Sequence, residues 1–463
     1  MNVKKIAISL LSIAFLAVVW EFIAWRVSMS VIFPPLGELI EQVFALFGTK
    51  DFYLALSATL YRGIIGLLIA FFCSFLLAVL AAFSDFWKTF FQPIIVVLRS
   101  VPVISFVLLA LFWFSPTQLP VFIALITVFP ILYQSILTAL NQTDKQLIEM
   151  AKIFGKTPVK RFFGIYLPLA KNMIFDGLST AIGFGLRAII IGEVLAQPIH
   201  GIGTGMRTAQ AFIQMPRLMA WTIAAILLSY LFEILLQQAR KIKFSKKYPI
   251  PQTFSLSKND FSEKKIKLVE INKKFGEHII LKNYSNSFTN NIINCVKGES
   301  GRGKTTLLRL IAGLDTDYKG EIQFPDSYKL SYSFQEKRLL PWLTVKENIT
   351  YIFDRKTTDK QFISDITHYL LENLNLTEHA QKYPHQLSGG QQQRTSLARA
   401  LAAQSDVLLL DEPLTGLDSK LKKQIIAFLT NWISVYKPLV IWATHENIDG
   451  SLQHELTPKC TID

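Results

Sequence analysis

The chain has 463 residues, a formal net charge of +14 and 51% hydrophobic side chains. That is too long for one domain, and too apolar for a disordered chain or a purely soluble protein. The charge is unevenly spread: residues 1–235 hold 26 charged side chains, about 11%, and the other 228 hold 56, about 25%. An apolar half is thus followed by a half with the composition of a globular domain.

Six apolar stretches are long enough to cross a bilayer as helices: Ile6–Trp25, Leu60–Phe83, Pro93–Phe114, Pro120–Leu140, Leu178–Leu195 and Leu218–Leu236. Lys4 and Lys5 precede the first, but Trp20, Glu21 and Phe22 stand where a small-residue cleavage site would be, so it reads as an uncleaved anchor. Three basic groups set the orientation. They are Lys4 and Lys5, then Lys145, Lys152, Lys156, Lys160, Arg161 and Lys171, then Arg240, Lys241, Lys243, Lys246 and Lys247. Six spans place all three on one side, the cytoplasmic one. Arg62 and Arg99 lie near span ends and are expected to snorkel. Arg187 and Glu193 are six apart, about 240° on a helix, so they are not expected to pair with each other. Contact with substrate and contact with a neighbouring helix both remain open for them. Cys73, Cys295 and Cys460 are far apart and show neither metal spacing nor a disulfide framework.

The loop after the fourth span, about 141–176, carries Glu149-Met150-Ala151, then Gly155, then Ile165-Tyr166-Leu167-Pro168. The pattern predicts a short amphipathic helix, a glycine turn, a second basic helix and a proline stop. It resembles the EAA coupling loop of ATP-binding-cassette importer permeases, with Glu149, Ala151, Gly155, Leu167 and Pro168 at matching positions and Met150 where alanine is commoner. The six spans and Phe33-Pro34-Pro35 also resemble the nitrate, sulfonate and taurine branch of that family.

A polar stretch over 240–263 reads as a linker, and strand-like and helical runs alternate beyond it, predicting an α/β domain over 264–463. Gly298-Glu299-Ser300-Gly301-Arg302-Gly303-Lys304-Thr305, with Thr306 beside it, follows the strand-like Ile292–Val296 and opens a helix. This is the context a phosphate-binding loop needs. Its glycines turn N–H groups toward phosphate oxygens, Lys304 reaches the β and γ phosphates, and Thr305 can hold Mg²⁺. Val407–Glu412 is an apolar strand ending in two carboxylates, Asp411 suited to a metal and Glu412 to polarising an attacking water.

Leu387-Ser388-Gly389-Gly390-Gln391 matches the signature motif of ATP-binding-cassette ATPases. Gln335 matches the Q-loop, Gly416-Leu417-Asp418 the D-loop, and the segment with His445 the switch histidine. Phe275 stands at the aromatic position that stacks on adenine. The spacing of 31 from Lys304 to Gln335 is short for the family, and the chain ends 18 residues after His445, so the C-terminal helices are expected to be mostly absent.

The resemblance implies a helical membrane domain of the importer permease type, residues 1–239, fused to an α/β P-loop ATPase domain. It implies ATP and Mg²⁺ as ligands, with Glu412, His445 and Gln335 catalytic and Thr305, Gln335 and Asp411 around the metal. Phe275, residues Gly298 through Thr306, Ser388, Gly389, Gly390, Gln391 and Asp418 would contact nucleotide. It further implies a homodimer, an extracytoplasmic substrate-binding protein, a small-molecule substrate and no nucleic-acid partner. The place would be a bacterial cytoplasmic membrane, with the N-terminus and the ATPase domain cytoplasmic. The different-class alternatives are an exporter, disfavoured by a loop of only 36 residues from Asn141 to Asp176, and a membrane-anchored ATPase that transports nothing.

Overall fold

The computed structural model describes residues 3–27, 29, 32–240, 264–290, 292–299, 301–325, 328–353, 359–444 and 460–461. In chain order the helices of the apolar half are α1 (Val3–Val27), α2 (Leu36–Phe47), α3 (Lys50–Phe83), α4 (Asp85–Ser100), α5 (Val103–Ala110), α6 (Leu119–Asn141), α7 (Lys145–Ile153), α8 (Pro158–Arg161), α9 (Leu167–Ala196), α10 (Ile202–Ala211) and α11 (Met215–Arg240). Then come β1 (Lys265–Phe275), β2 (His278–Thr289), β3 (Ile293–Lys297), α12 (Lys304–Ile311), β4 (Lys319–Gln323), β5 (Leu330–Ser333), α13 (Val345–Thr350) and α14 (Lys360–Asn373). The last are α15 (Gly389–Ala402), β6 (Val407–Asp411), α16 (Ser419–Tyr436), β7 (Leu439–Thr444) and β8 (Cys460–Thr461). The chain divides into two compact units, Met1–Thr143 with Leu169–Ser245, and Asp144–Pro168 with Lys246–Asp463. Apart from Arg240, which ends α11, the expected linker lies outside the described residues.

Among the described residues, α3, α6 and Met215–Gln238 of the first unit, and the run Pro158–Ala196 that enters it from Pro158–Pro168 of the second, are long and apolar enough to cross a membrane. The first apolar stretch lies on α1. The third does not form one straight span: α4 and α5 meet at a 93° bend. Pro102 explains the break, because it lacks an N–H and drives Val101 out of the helical region, here to ψ 129°. Helix contact is made through small residues. The buried stripe Gly66, Ala70, Ser74 and Ala78 lets α6 approach α3 closely, and Ser74 donates to the Phe129 carbonyl at 2.8 Å. An added Cβ on Gly66 would already meet Ala124 at 3.0 Å. Large apolar side chains left exposed belong almost wholly to this unit; among the described residues of the second, only Val159, Phe163, Phe275 and Ile279 are so exposed. Such a surface suits lipid rather than water.

Arg62 does not snorkel. It is buried and ion-paired with Glu193 of α9, while Arg187 is exposed and lies 5.8 Å from the Phe184 ring. Burial makes the difference: inside a helix packing, a guanidinium without a carboxylate would cost several kcal/mol.

In the second unit the three-stranded sheet β2-β1-β4 is antiparallel, and the five-stranded sheet β5-β6-β7-β3-β8 is parallel. β6 and β7 are buried along their whole length, as the central strands of a covered parallel sheet are. α13, α14, α15 and α16 close a core around Leu370, Leu397, Leu408, Leu410, Phe428 and Trp432. The segment Asp144–Pro168 belongs to this unit. Asp144 caps α7, and Gly155 makes the turn at φ +65° with open space where a Cβ would stand. It is therefore the backbone angle, not crowding, that favours glycine there. Pro168 is not a stop. A π-helical turn over Phe162–Tyr166 precedes it and the helix continues into α9. The widened turn makes room for the ring and for its missing donor.

Candidate functional site

The loop between β3 and α12 is built for an anion. Gly301 and Gly303 sit at φ +85° and +93°, and Gly303 forms the N-cap of α12, where an added Cβ would lie 2.5 Å from Ile280. Lys304 is buried at the first position of α12, and its Nζ donates to the carbonyls of Gly298 at 2.7 Å and Glu299 at 2.9 Å. The lysine thus folds back over its own loop, in reach of whatever enters it. Glu299 and Arg302 are exposed, with 3.8 Å between their charged groups. Ser300 lies outside the described residues.

Thr305 Oγ1 donates to Asp411 Oδ1 at 3.2 Å, joining the start of α12 to the end of β6. Tyr332 of β5, fully buried, donates to the other carboxylate oxygen at 3.2 Å. Burial pushes the Asp411 carboxyl up to about 6, against the pull of the Thr305 and Tyr332 hydrogen bonds and of the Lys304 charge, and the neighbouring Glu412 adds to the rise. A buried carboxylate beside a threonine hydroxyl is an oxygen donor set that fits Mg²⁺. Glu412 takes φ +47°, its N–H held by the Ala443 carbonyl at 3.0 Å, and this turns its side chain out of the sheet. Glu412 Oε2 accepts from Gln335 Nε2 and from Thr415 Oγ1, each at 3.4 Å. His445 lies outside the described residues.

The signature segment is shaped separately. Ser388 caps α15 and forms a reciprocal capping box with Gln391, whose amide also meets His379 at 2.9 Å. Gly390 is close to Leu417, and an added Cβ would lie 3.0 Å from it. Asp418 caps α16, accepting from the Leu421 N–H at 2.9 Å. Phe275 at the end of β1 is 53% exposed, with one face held 4.8 Å from Lys273 Nζ and the rest of the ring free to stack. The structure therefore brings together Lys304, Thr305, Gln335, Asp411 and Glu412. The hydrogen bonds of Ser388 and Gln391 run to each other and to His379 instead.

The loop carrying Glu149 is clamped onto this unit. Glu149 accepts from Arg309 of α12 at 2.9 and 3.1 Å and from Arg338 at 2.9 Å. Burial opposes the charge on Glu149, but the hydrogen bonds and charges of the two arginines outweigh it and hold its pKa below the ordinary carboxylate value. Arg338 sits at φ +45° only three residues after Gln335, its guanidinium stacked 3.9 Å from the Phe334 ring. Lys156 Nζ donates to the carbonyls of Ile352 and Phe353. Arg399 of α15, wholly buried, grips the carbonyls of Lys337 and Arg338 and lies 5.8 Å from the Phe154 ring. Arg309, Arg338, Tyr332 and Arg399 have no motif signal of their own in the sequence, since each acts through a partner distant along the chain.

Comparison with known proteins places both units in families. Residues 281–415 match the ABC transporter family, and residues 71–242 match the binding-protein-dependent transport system inner membrane component family. The chain is 37% identical over 194 residues to the spermidine/putrescine import ATP-binding protein of Thermotoga maritima, covering 40% of this chain and 53% of the relative. It is 36% identical over 188 residues to the aliphatic sulfonates import ATP-binding protein of Granulibacter bethesdensis, covering 40% of this chain and 75% of the relative. A probable sulfate/thiosulfate import ATP-binding protein of Chlorella vulgaris is 34% identical over 190 residues, 39% of this chain and 80% of that one. The chain spans about half the length of the spermidine/putrescine relatives it matches. With residues 281–415 matched to ABC transporters, a sulfonate-import relative matched over 75% of its length, and a helical unit matched to an inner membrane component, the chain belongs to the ATP-binding-cassette transporter family as a permease and an ATPase domain in one polypeptide.

Proposed function

We propose that the protein uses ATP hydrolysis to import a small solute across the cytoplasmic membrane, the permease and the ATPase being parts of one chain. The observation that carries this reading is the clamp on Glu149: a loop between two apolar helices is held by arginines of the phosphate-loop helix and of the segment after Gln335. A membrane-anchored ATPase with no transport role has no use for that clamp.

In this reading the N–H groups of Gly298 through Thr305 and the Lys304 ammonium bind the nucleotide phosphates, and Phe275 stacks on the base. Thr305, Asp411 and Gln335 would hold Mg²⁺, which when bound neutralises phosphate charge. Glu412 takes a proton from the attacking water, and His445 is the residue the resemblance assigns to the γ-phosphate. Ser388, Gly389, Gly390, Gln391 and Asp418 serve a nucleotide held by a second copy, so the working unit is a homodimer with two sites. Closure of the ATPase domains then moves the loop of Glu149 and Gly155 and, through it, the membrane helices.

The orientation follows the basic groups, with the N-terminus and the ATPase domain cytoplasmic and a substrate-binding protein on the other side. Sulfonates, taurine, nitrate and thiamine-precursor pyrimidines are the substrate classes suggested by the resemblance. The test is ATP-driven movement of labelled taurine, ethanesulfonate and nitrate in proteoliposomes holding the full chain and the binding protein encoded beside it. Movement toward the side of the ATPase domain supports import, and movement away from it overturns the reading in favour of export.

A further inference from the structure

The least explained feature of the permease unit is a buried carboxylate. Glu193 is wholly inaccessible, yet it accepts from the Thr59 hydroxyl at 2.9 and 3.0 Å, from Arg62 and from the Gly203 N–H at 2.9 Å. Thr59 in turn accepts from the Ile202 N–H at 3.0 Å, and Arg62 donates to the His200 carbonyl at 2.9 Å. One carboxylate therefore ties three elements together: α9, which carries it, α3, which supplies Thr59 and Arg62, and the start of α10.

The N-cap of α10 is Gly201, which has no side chain to accept from the free N–H groups. Glu193 and Thr59 take that role from other helices. The backbone must come very close for this. An added Cβ on Gly201 would lie 2.7 Å from the Glu193 carboxyl, and one on Gly203 would lie 2.4 Å from the Ile190 carbonyl. Removing either charge would leave its partner buried and unpaired, so the cluster acts as a unit.

Its place on the chain gives it a use. The helical run Pro158–Ala196 begins in the loop that carries Gly155 and bears Glu193 three residues before its end. We propose that Glu193 is a positioning residue for transport: it makes α10 move together with α9 and α3, so that nucleotide-driven displacement at the start of this helical run reaches the far end of the permease. This rests on the importer reading above. A merely structural cluster would hold α10 in the same way in every nucleotide state.

The test uses the full chain in lipid nanodiscs with ATP as the only ligand. Ala209 of α10 is buried, and Ala209→Cys in a Cys73→Ser background provides a reporter thiol. Its labelling by a soluble maleimide is followed by mass spectrometry of that peptide. In the Glu412→Gln chain, adding ATP should change the labelling rate by at least about fivefold, the lower end of coupling between two sites. Glu193→Gln should remove the ATP dependence, whereas Arg62→Lys, which keeps the charge, should retain it. Thr59→Val, which frees Ile202 from the cluster, is the second variant if Glu193→Gln does not fold, and it too should lose the dependence. If ATP binds but labelling is the same in both states, or if Glu193→Gln or Thr59→Val leaves the dependence intact, the inference is wrong while the ATPase reading stands. If the Glu412→Gln chain binds no ATP, the ATPase reading fails and this one with it.

Discussion

Glu412 joins two separable quantities in one residue, a carboxylate proposed as the general base and a strained backbone. Its φ of +47° lies in the left-handed region, which costs a side-chain-bearing residue about 1–2 kcal/mol. The Ala443 carbonyl holds the N–H, and the carboxylate meets Gln335 and Thr415. Glu412→Gln changes neither the backbone nor the shape of the side chain; it removes the base. A general base contributes about 10²–10⁴ in rate, so turnover should fall at least ~100-fold, which is about 2.7 kcal/mol in the barrier. ATP binding should persist, because Lys304 and the glycines of the loop are untouched.

Glu412→Gly should lose the same activity but also relieve the strain. For a domain of this size, about 1 kcal/mol raises the midpoint of the ATPase transition by about 2–4 °C. Steady-state phosphate release, equilibrium binding of a fluorescent ATP analogue and calorimetry of the full chain give the three readouts. Turnover within about threefold of the parent in Glu412→Gln would refute the assignment of the base. A lower midpoint in Glu412→Gly would refute the account of the strain.

Other outcomes follow from the same geometry. Lys304→Ala removes the ammonium that now rests on Gly298 and Glu299, and ATP affinity should fall by about 10–100-fold, the weight of a charge-assisted hydrogen bond; equilibrium binding measures it. Glu149→Gln should leave ATP turnover within about threefold but lower solute moved per ATP by about fivefold or more, because the Arg309 and Arg338 pairs lose their charge. The folded pKa of Glu149 is depressed, so the contribution of the clamp is present above the ordinary value of 4.5 and is lost only as pH falls through the lower folded value; loop crosslinking to the segment of Arg338 should be flat from about pH 6 to 8 and fall in acid. Gly155→Ala should cost about 1 kcal/mol and Gly155→Asn less, since only the φ of +65° is at issue, and thermal unfolding separates them. The purified protein should have a mass near twice 52.5 kDa by light scattering, and a fully active monomer would refute the shared ATP site.

Local chemistry was legible in the sequence, and distant pairing was not. The run from Gly298 to Thr305 predicts a strand, a turn and a helix start because each of its residues acts on its own backbone, and β3, the left-handed glycines and α12 occupy those positions. Val407–Glu412 likewise predicts a buried strand ending in acids, and β6 is that strand. The loop of Glu149 shows the limit. Its helix and glycine turn could be read from spacing, but Arg309 and Arg338 are 160 and 189 residues away, and no local pattern names them. Proline gave opposite errors for one reason. Pro102 breaks an expected span, whereas Pro168 passes inside a helical run, because a π-turn absorbs its missing donor in one place and nothing does in the other. Arg62 and Glu193 make the sharpest case. Helical geometry correctly separates Glu193 from Arg187, yet the partner it finds lies 131 residues earlier on α3, and Arg62 then has no reason to reach for water. A lone charge in an apolar stretch is read as one that must escape, because the cost of burial is local and can be computed from sequence. The compensation is tertiary. Here it is made by a second charge, a hydroxyl and two helix N–H groups that come together only in the folded unit.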